Sequence, residues 1–382
     1  MNVTKPEIMV NVIPVKDKKT LKKFIDFPYQ HYKEDKNYVP DLRIMVKETL
    51  DKKKNPFFKH SDAEYFIALD EKGKTLGRIA AITNNMYVKH WNENWGFFGF
   101  FESVEDDEVT RALFDSAVAW LKEKGVEGMY GPMNPSTNDP CGTLVDGFDT
   151  PPFVMMTHNK TYYDKLFKGY GLEKRMDLYA WYLKHYKIPE RMLNLSKKVE
   201  ERLKTQGIIV REVDFSKLDE EVPKLRHIYN EAWKDNWGFV PFTDDEFEVL
   251  VKELKMITTP KLVFVVEDNG EPVAFSATIP NINEIFIKIR NGKLFPFNFL
   301  KLINFKKRVK TVRILTLGIL EKYRKTGIDA VMYARTFENG TKMGYYEGEA
   351  SWILENNTMM NRALKNINAE LYKTYRIYQY KF

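Results

Sequence analysis

Two stretches of this chain repeat one arrangement of apolar and polar positions. From Tyr65 to Ile82 apolar residues alternate with others around a turn containing Gly73, and the pattern returns from Leu262 to Ile279 around Gly270. Alternation of this kind about an acidic, glycine-containing turn predicts a β-hairpin. Two further pairs keep nearly the same offset and the same order. Tyr32-Lys33 with Val39-Pro40 returns as Trp233-Lys234 with Val240-Pro241, and Asn159 with Leu166 returns as Asn357 with Leu364. A repeat of that length predicts two domains of one type, over 1–188 and 207–382, joined by a charged helix within 189–206 that has Pro189 near its start. Each half reads as strand, one or two helices, hairpin, long strand, helix, strand, helix, strand. In the second half these are a β-rich run Arg313–Leu320, a helix Gly327–Met343, a strand Tyr345–Leu354 and a helix Thr358–Ile367. The fold class expected is α/β, with a mixed sheet in each of two tandem domains.

Bulk composition narrows the class without naming it. The chain has 382 residues, 43% hydrophobic and 30% charged, ordinary proportions for a globular protein. Its most apolar run, Trp95 to Phe101, is far short of the ~20 residues a spanning helix needs. A single cysteine, Cys141, excludes a disulfide framework and fits a reducing cytoplasm. The net charge of +7 is concentrated: from Ile285 to Leu320 nine basic residues occur with no Asp or Glu. Without them the rest of the chain would be slightly acidic, so nucleic-acid binding by general basicity is not expected.

The most informative segment runs from Leu317-Gly318-Ile319 through Tyr323-Arg324-Lys325-Thr326 to Gly327-Ile328-Asp329. An apolar strand ends in a short basic loop and a helix begins. Unpaired N–H groups and the positive dipole end at a helix start bind anions. Lys322, Arg324 and Lys325 add charge, and Gly327 permits close backbone approach. A diphosphate suits this chemistry. The plain alternative is a solvated basic loop.

With Arg324 and Gly327 in the defining places, the segment resembles the acetyl-CoA pyrophosphate loop of the GNAT superfamily of N-acyltransferases, Arg/Gln-x-x-Gly-x-Gly/Ala. The likeness continues through the Tyr345–Leu354 strand to Asn357, which corresponds to the Asn opening a helix beside the pantetheine arm. The resemblance implies acyl-CoA as donor, an amine as acceptor, direct attack on the thioester, and an oxyanion met by a backbone N–H near Ile319. No metal is implied, and neither a His-Glu-x-x-His nor a Walker-type spacing occurs. Two positions depart from the pattern. Asp329 stands where Gly or Ala is usual, and Leu364 stands where many members carry the Tyr that protonates the leaving thiolate. In the first half, the long strand is followed by Glu102, Glu105, Asp106, Asp107 and Glu108, which would repel a diphosphate. That half is expected to be a degenerate partner contributing to the acceptor site, as in tandem GNAT proteins.

Acceptor candidates lie in the Pro- and Gly-dense stretch holding Asn134, Ser136, Asn138 and Asp139, which runs on to His158, Asn159 and Tyr162. Such residues also cap their own turns, so a self-supporting loop is the alternative. His158 is the natural general base, its ordinary pKa of ~6.5 suiting proton removal near neutrality. Glu231 and Asp235 are rivals, in a region with Asn236 and Trp237 that corresponds to the acceptor-lining helices of GNAT folds. Trp233 and Trp237 serve equally well as core, and Cys141 as an acyl-carrying nucleophile is a weaker candidate. A base is needed because an alkylammonium of pKa ~10 costs roughly 3–4 kcal/mol to deprotonate near neutral pH.

Between the second hairpin and Arg313, residues 287–312 interrupt the superfamily pattern with phenylalanines among lysines. Such mixtures suit the surface of an anionic membrane, while an insertion packed on its own domain is the alternative. The whole chain resembles a bacterial group of tandem GNAT-like proteins that includes ceramide synthases, through Asn134-Pro-Ser136, His158-Asn159, Asn236-Trp237-Gly238 and Gly327-Ile-Asp329. That likeness implies a sphingoid-type amine as acceptor and a cytoplasmic enzyme associated with a membrane. Other readings are a non-catalytic acyl-CoA or membrane sensor, and a transferase using aminoacyl-tRNA.

Overall fold

A computed structural model describes residues 9–382. Its elements in chain order are β1 (Asn11–Pro14), α1 (Lys18–His31), α2 (Arg43–Thr49), β2 (Ser61–Leu69), β3 (Thr75–Asn84), α3 (Asn85–Trp91), β4 (Trp95–Ser103), α4 (Asp107–Glu123), β5 (Gly128–Gly131), β6 (Thr143–Asp146), α5 (Tyr163–Tyr170) and β7 (Glu173–Lys184). There follow α6 (Glu190–Thr205), β8 (Ile208–Glu212), α7 (Leu218–Trp233), α8 (Asp244–Ile257), β9 (Val263–Asp268), β10 (Glu271–Pro280), α9 (Asn283–Phe286), α10 (Phe305–Arg308), β11 (Thr311–Ile319), α11 (Ile328–Lys342), β12 (Glu347–Leu354), α12 (Thr358–Asn366) and β13 (Glu370–Lys381). They form two units. Among the described residues, unit 1 comprises 9–177, 289–296 and 375–382, and unit 2 comprises 178–288 and 297–374.

Unit 1 carries strands in the order β1-β2-β3-β4-β5 with the end of β13, antiparallel except for the parallel pair β4–β5. The β2–β3 turn forms because the Asp70 carboxylate accepts from the N–H groups of Lys72 and Lys74, while Gly73 takes φ 74°. On one face α4 and α5 bury Leu113, Phe114, Leu121 and Phe167 against Phe98 and Phe101. Each such aromatic contributes on the order of 2–3 kcal/mol by leaving water.

Unit 2 repeats the plan. Its order is β8-β9-β10-β11-β12 with the end of β7, again antiparallel but for the parallel pair β11–β12. The β9–β10 turn is Asn269-Gly270, both at positive φ, the sequence a tight hairpin favours. Strand alternation feeds two cores. Val266 and Ala274 pack with Ile328 and Val331 of α11 and Leu203 of α6, whereas Val265 and Phe275 pack with Leu225 and Ile228 of α7 and Phe247 of α8. The helix expected between the halves is α6, and it packs on α11 as part of unit 2. Among the described residues no helix is long and apolar enough to cross a membrane.

Candidate active site

In unit 2 the parallel pairing of β11 with β12 covers four rungs, Thr311↔Glu347 to Ile314↔Ala350. Beyond that point β12 continues only with β7, through Ile353↔Tyr179 and Leu354↔Leu178, and β11 continues only with β10, to Ile319↔Ala274. The two strands part, leaving one edge of β11 from Leu315 to Ile319 without a strand partner among the described residues. The Leu320 N–H donates to the Val273 carbonyl at 3.0 Å, so by alternation the N–H groups of Ile319 and Leu317 face away from β10, along that open edge. The Thr316 hydroxyl on the same stretch is buried and has no hydrogen-bond partner among the described residues, a deficit of about 1–3 kcal/mol.

The chain then makes a short 3₁₀ turn at Glu321–Tyr323, and α11 begins after Gly327. Lys325 and Gly327 take φ of 65° and 92°. Among the described residues no side chain caps α11, so the first N–H groups of the helix remain available, beside the exposed Lys322, Arg324 and Lys325. The loop is fixed from behind. Tyr323 donates to Asp268 at 2.7 Å, which raises the phenol pKa, Arg324 to the Ala232 carbonyl at 3.0 Å, Arg202 to the Thr326 carbonyl at 2.8 Å, and Thr326 to the Tyr323 carbonyl at 2.7 Å. A Cβ on Gly318 would lie 2.3 Å from the Trp233 ring, and one on Gly327 2.8 Å from Val199, so a side chain at either position would have to push its neighbour aside. Ile328 is buried in the core beneath, while Asp329 stands in the first turn of α11. Asn357 caps α12, its side chain accepting from the Met360 N–H at 3.1 Å, and Leu364 of that helix is fully buried. Elsewhere in unit 2, Glu231 forms an exposed ion pair with Lys234 at 2.9 Å, and Asn236 and Trp237 occupy the turn after α7.

The corresponding features of unit 1 are filled. Past the three rungs of β4–β5, the chain itself runs along β4: the Met133 N–H donates to the Phe98 carbonyl at 2.9 Å, and the Asn134 amide oxygen accepts from the Phe100 N–H at 2.6 Å. Gly99 makes this possible, since a Cβ there would fall 1.7 Å from the Met133 carbonyl oxygen. The start of α4 is capped by Asp106, whose carboxylate accepts from the N–H groups of Glu108 and Val109. Of the five carboxylates read as a repelling cluster, Glu102 is turned inward and buried, accepting from the hydroxyls of Tyr32 and Tyr163, with Arg78 at 4.0 Å. Burial raises the Glu102 pKa against the pull of Arg78.

Around Glu102 lies a buried polar cluster that the sequence did not announce. His31 Nε2 lies 3.2 Å from the Tyr162 hydroxyl and 3.3 Å from that of Tyr163; Tyr162 also donates to the Ser103 carbonyl at 2.8 Å. Burial, with Lys160 and Arg78 nearby, lowers the His31 pKa to about 4. Because the folded value lies below the ordinary ~6.5, the unfolded chain binds the extra proton first. The stability His31 contributes is complete above ~6.5 and lost as pH falls toward 4, up to about 3 kcal/mol. Urea unfolding at several pH values is expected to show this slope in the wild type and a flatter one in His31→Gln; equal slopes would remove His31 from the account.

His158 Nε2 sits 3.0 Å from an Asp35 carboxylate oxygen, with Lys160 3.7 Å from the same oxygen. Burial would raise the Asp35 pKa, but the hydrogen bond and charge of His158, the Asn37 N–H and then Lys160 override it and hold Asp35 below the usual range. An ionised carboxylate behind a histidine orients the ring and stabilises its protonated form, as a general base requires. The pair is 123 residues apart in sequence, so no spacing pattern could have shown it.

The loop from 131 to 142 supports itself. Ser136 donates from both its hydroxyl, at 2.9 Å, and its N–H, at 3.2 Å, to Asp139, the Asn138 N–H donates to the Ser136 hydroxyl at 3.1 Å, and the Asn134 amide donates to the Pro140 carbonyl at 2.8 Å. Asn159 clamps β6, its amide bonding the N–H and carbonyl of Leu144 at 2.6 and 3.0 Å. A second network missed in the sequence lies at the root of the parted strands. Arg313 donates to the hydroxyl and carbonyl of Ser351 at 2.9 and 3.0 Å, and the Glu349 carboxylate accepts from Ser351 and Tyr372, all within unit 2. Burial raises the Glu349 pKa while Arg313 opposes the shift. Arg313 within β11 and Glu349 within β12 were its only signal.

A mixed sheet with one parallel strand pair and a helix following it, built twice in one chain and open in unit 2 beside an uncapped helix start, is the fold of a tandem GNAT protein, an acyltransferase of that superfamily. No family model matches the chain. It is 34% identical over 378 residues to bacterial ceramide synthase of Caulobacter vibrioides, covering 97% of each, and 35% identical over 369 residues to protein YghO of Escherichia coli, covering 95% of this chain and 93% of the other. The chain belongs to the family of those two proteins. Among solved structures, a tandem GNAT protein from the clavulanic acid biosynthesis pathway aligns with a TM-score of 0.57 at 8% identity, covering 97% of this chain and 98% of that one. The GCN5-related glucosamine N-acetyltransferase region of a fungal multi-domain β-N-acetylglucosaminidase aligns at 0.58 and 13% identity, covering 99% of this chain and 39% of the longer one.

Proposed function

We propose that this protein moves an acyl group from a coenzyme A thioester to the amine of a long-chain, sphingoid-type acceptor. The observation that carries the reading is the conjunction in unit 2 of β11's unpaired edge with the uncapped start of α11. The diphosphate is assigned to the N–H groups after Gly327, with Tyr323, Arg324, Lys325 and Thr326 around it. The pantetheine is assigned to the edge at Leu317, Gly318 and Ile319, with Asn357 beside it. The neutral amine attacks the thioester carbonyl, the Ile319 N–H meets the oxyanion, and collapse expels the coenzyme A thiolate as the new amide forms. Oxyanion donors of this kind contribute ~10²–10³ in rate. His158 takes the amine proton, oriented by Asp35; Glu231 is the rival base. The 131–142 loop, Asn159, Tyr162 and the Asn236-Trp237 turn are assigned to acceptor recognition.

The name of one relative supports the long-chain acceptor, since ceramide is an N-acylated sphingoid base. A lipid acceptor resides in a bilayer, so the enzyme acts at a membrane surface.

Incubation with radiolabelled palmitoyl-CoA and sphinganine is expected to yield the N-acyl product. Transfer only to soluble amines sinks the lipid acceptor, and no thermal stabilisation by coenzyme A sinks the donor. His158→Ala is expected to lower kcat at least about a hundredfold with coenzyme A affinity unchanged, and Glu231→Ala to change it little. Asp35→Asn should shift the pH profile of kcat as well as its height, which loss of packing alone would not do. The reverse ranking of His158 and Glu231 transfers the role to Glu231.

A further inference from the structure

We propose that the outward face of the segment Phe297–Lys310 is a docking surface for an anionic lipid bilayer. The proposal deepens the reading above and rests on it for the location of the acceptor, but the surface itself is read from side-chain placement.

The insertion is mounted firmly at its feet. Glu284 accepts from the N–H groups of Lys310 and Thr311 and from the Thr311 hydroxyl, Lys301 donates to the Lys288 carbonyl at 2.7 Å, and Tyr345 donates to the Lys306 carbonyl at 2.9 Å. Leu302, Phe305 and Val309 pack inward with Leu262, Ile285 and Val312. Those three apolar side chains pack on their own unit. Four others are held outward. Phe297 is 75% exposed, Ile303 56%, Leu300 51% and Phe299 40%, with Phe295 at 72% just before them. Those three phenylalanines are the only exposed ones among the described residues. A cluster of large apolar groups held out on a fixed mount marks an interaction site.

Charge selects the partner. Lys288, Lys307, Arg308 and Lys310 are exposed around the apolar tips, and no acidic residue occurs from Ile285 to Leu320. A second copy would bring the same positive charge against itself. Exposed phenylalanines can stack nucleic-acid bases, but the aliphatic Leu300 and Ile303 beside them cannot, so bases would leave part of the apolar face uncovered. An anionic bilayer accepts both groups at once, apolar tips entering the acyl boundary and lysines meeting headgroups.

Flotation of the intact protein with vesicles tests this. Binding is expected to phosphatidylcholine vesicles containing phosphatidylglycerol, to weaken with added salt, and to be slight on phosphatidylcholine alone. The double variant Phe297→Asp, Leu300→Asp should bind at least about tenfold more weakly, and Lys307→Glu, Lys310→Glu should lose the salt-dependent part. Both should keep wild-type thermal stabilisation by coenzyme A, which shows them folded and separates this claim from the donor-site assignment. Wild-type protein that stays off anionic vesicles overturns the proposal. So does a patch variant that instead breaks a dimer or abolishes RNA binding while vesicle binding persists.

Discussion

Aspartate in place of Gly327 is expected to weaken coenzyme A binding at least about a hundredfold, and asparagine at the same position far less. The comparison separates charge from shape. Both residues must adopt the φ of 92° and meet Val199, at a shared cost of about 1–3 kcal/mol in the loop. Both side chains can cap the free N–H groups of α11. Only aspartate adds a negative charge where the diphosphate is assigned, as Asp106 already does at the start of α4. A hundredfold loss corresponds to about 2.7 kcal/mol, a reasonable repulsion for like charges near a partly screened surface. Isothermal titration with coenzyme A reads the affinities, and unliganded thermal midpoints show whether the loop strain is indeed equal. If the two variants bind alike, the anion is not held at this helix start, and the donor site lies elsewhere.

The local half of this site was legible because it is written in contiguous residues. The hairpins around Gly73 and Gly270, the strand ending at Ile319 and the helix starting after Gly327 follow from alternation, glycine and the basic loop between. Asn357 was likewise readable as the residue opening a helix, and it caps α12. What escaped is what folding brings from afar. Asp35 reaches His158, Glu102 gathers Tyr32 and Tyr163, and Arg313 meets Ser351 beside Glu349, each pairing set by sheet order rather than by spacing. The acidic turn of the first half was read by charge alone. The structure gives a more local account in unit 1, where Asp106 satisfies its own helix and Met133-Asn134 lies along β4. The insertion between 287 and 312 shows the same limit: composition flagged its phenylalanines, but only packing distinguishes the inward Phe305 from the outward Phe297.

Gly99→Ala is expected to destabilise the protein by at least about 4 kcal/mol, which places it among the severe single substitutions. The added methyl would stand 1.7 Å from the Met133 carbonyl oxygen, 2.8 Å from its carbon and 3.0 Å from the Asn134 amide oxygen. These are mostly backbone atoms, pinned by the Met133 bond to Phe98 at 2.9 Å and the Asn134 bond to Phe100 at 2.6 Å, so relief requires breaking both. Two other glycines calibrate the effect. At Gly125, with φ 75° and open space around it, alanine carries backbone strain alone, about 1 kcal/mol. At Gly318 the methyl meets the far end of the Trp233 ring at 2.3 Å, and a side chain can shift where backbone cannot, giving about 1–3 kcal/mol. Urea denaturation of the three variants should therefore rank Gly99 worst, Gly318 next and Gly125 mildest. A Gly99→Ala protein as stable as Gly125→Ala would mean that the chain can leave β4 at little cost. The cleft of unit 1 would then be only loosely closed, and its exclusion as a second coenzyme A site would fall with it.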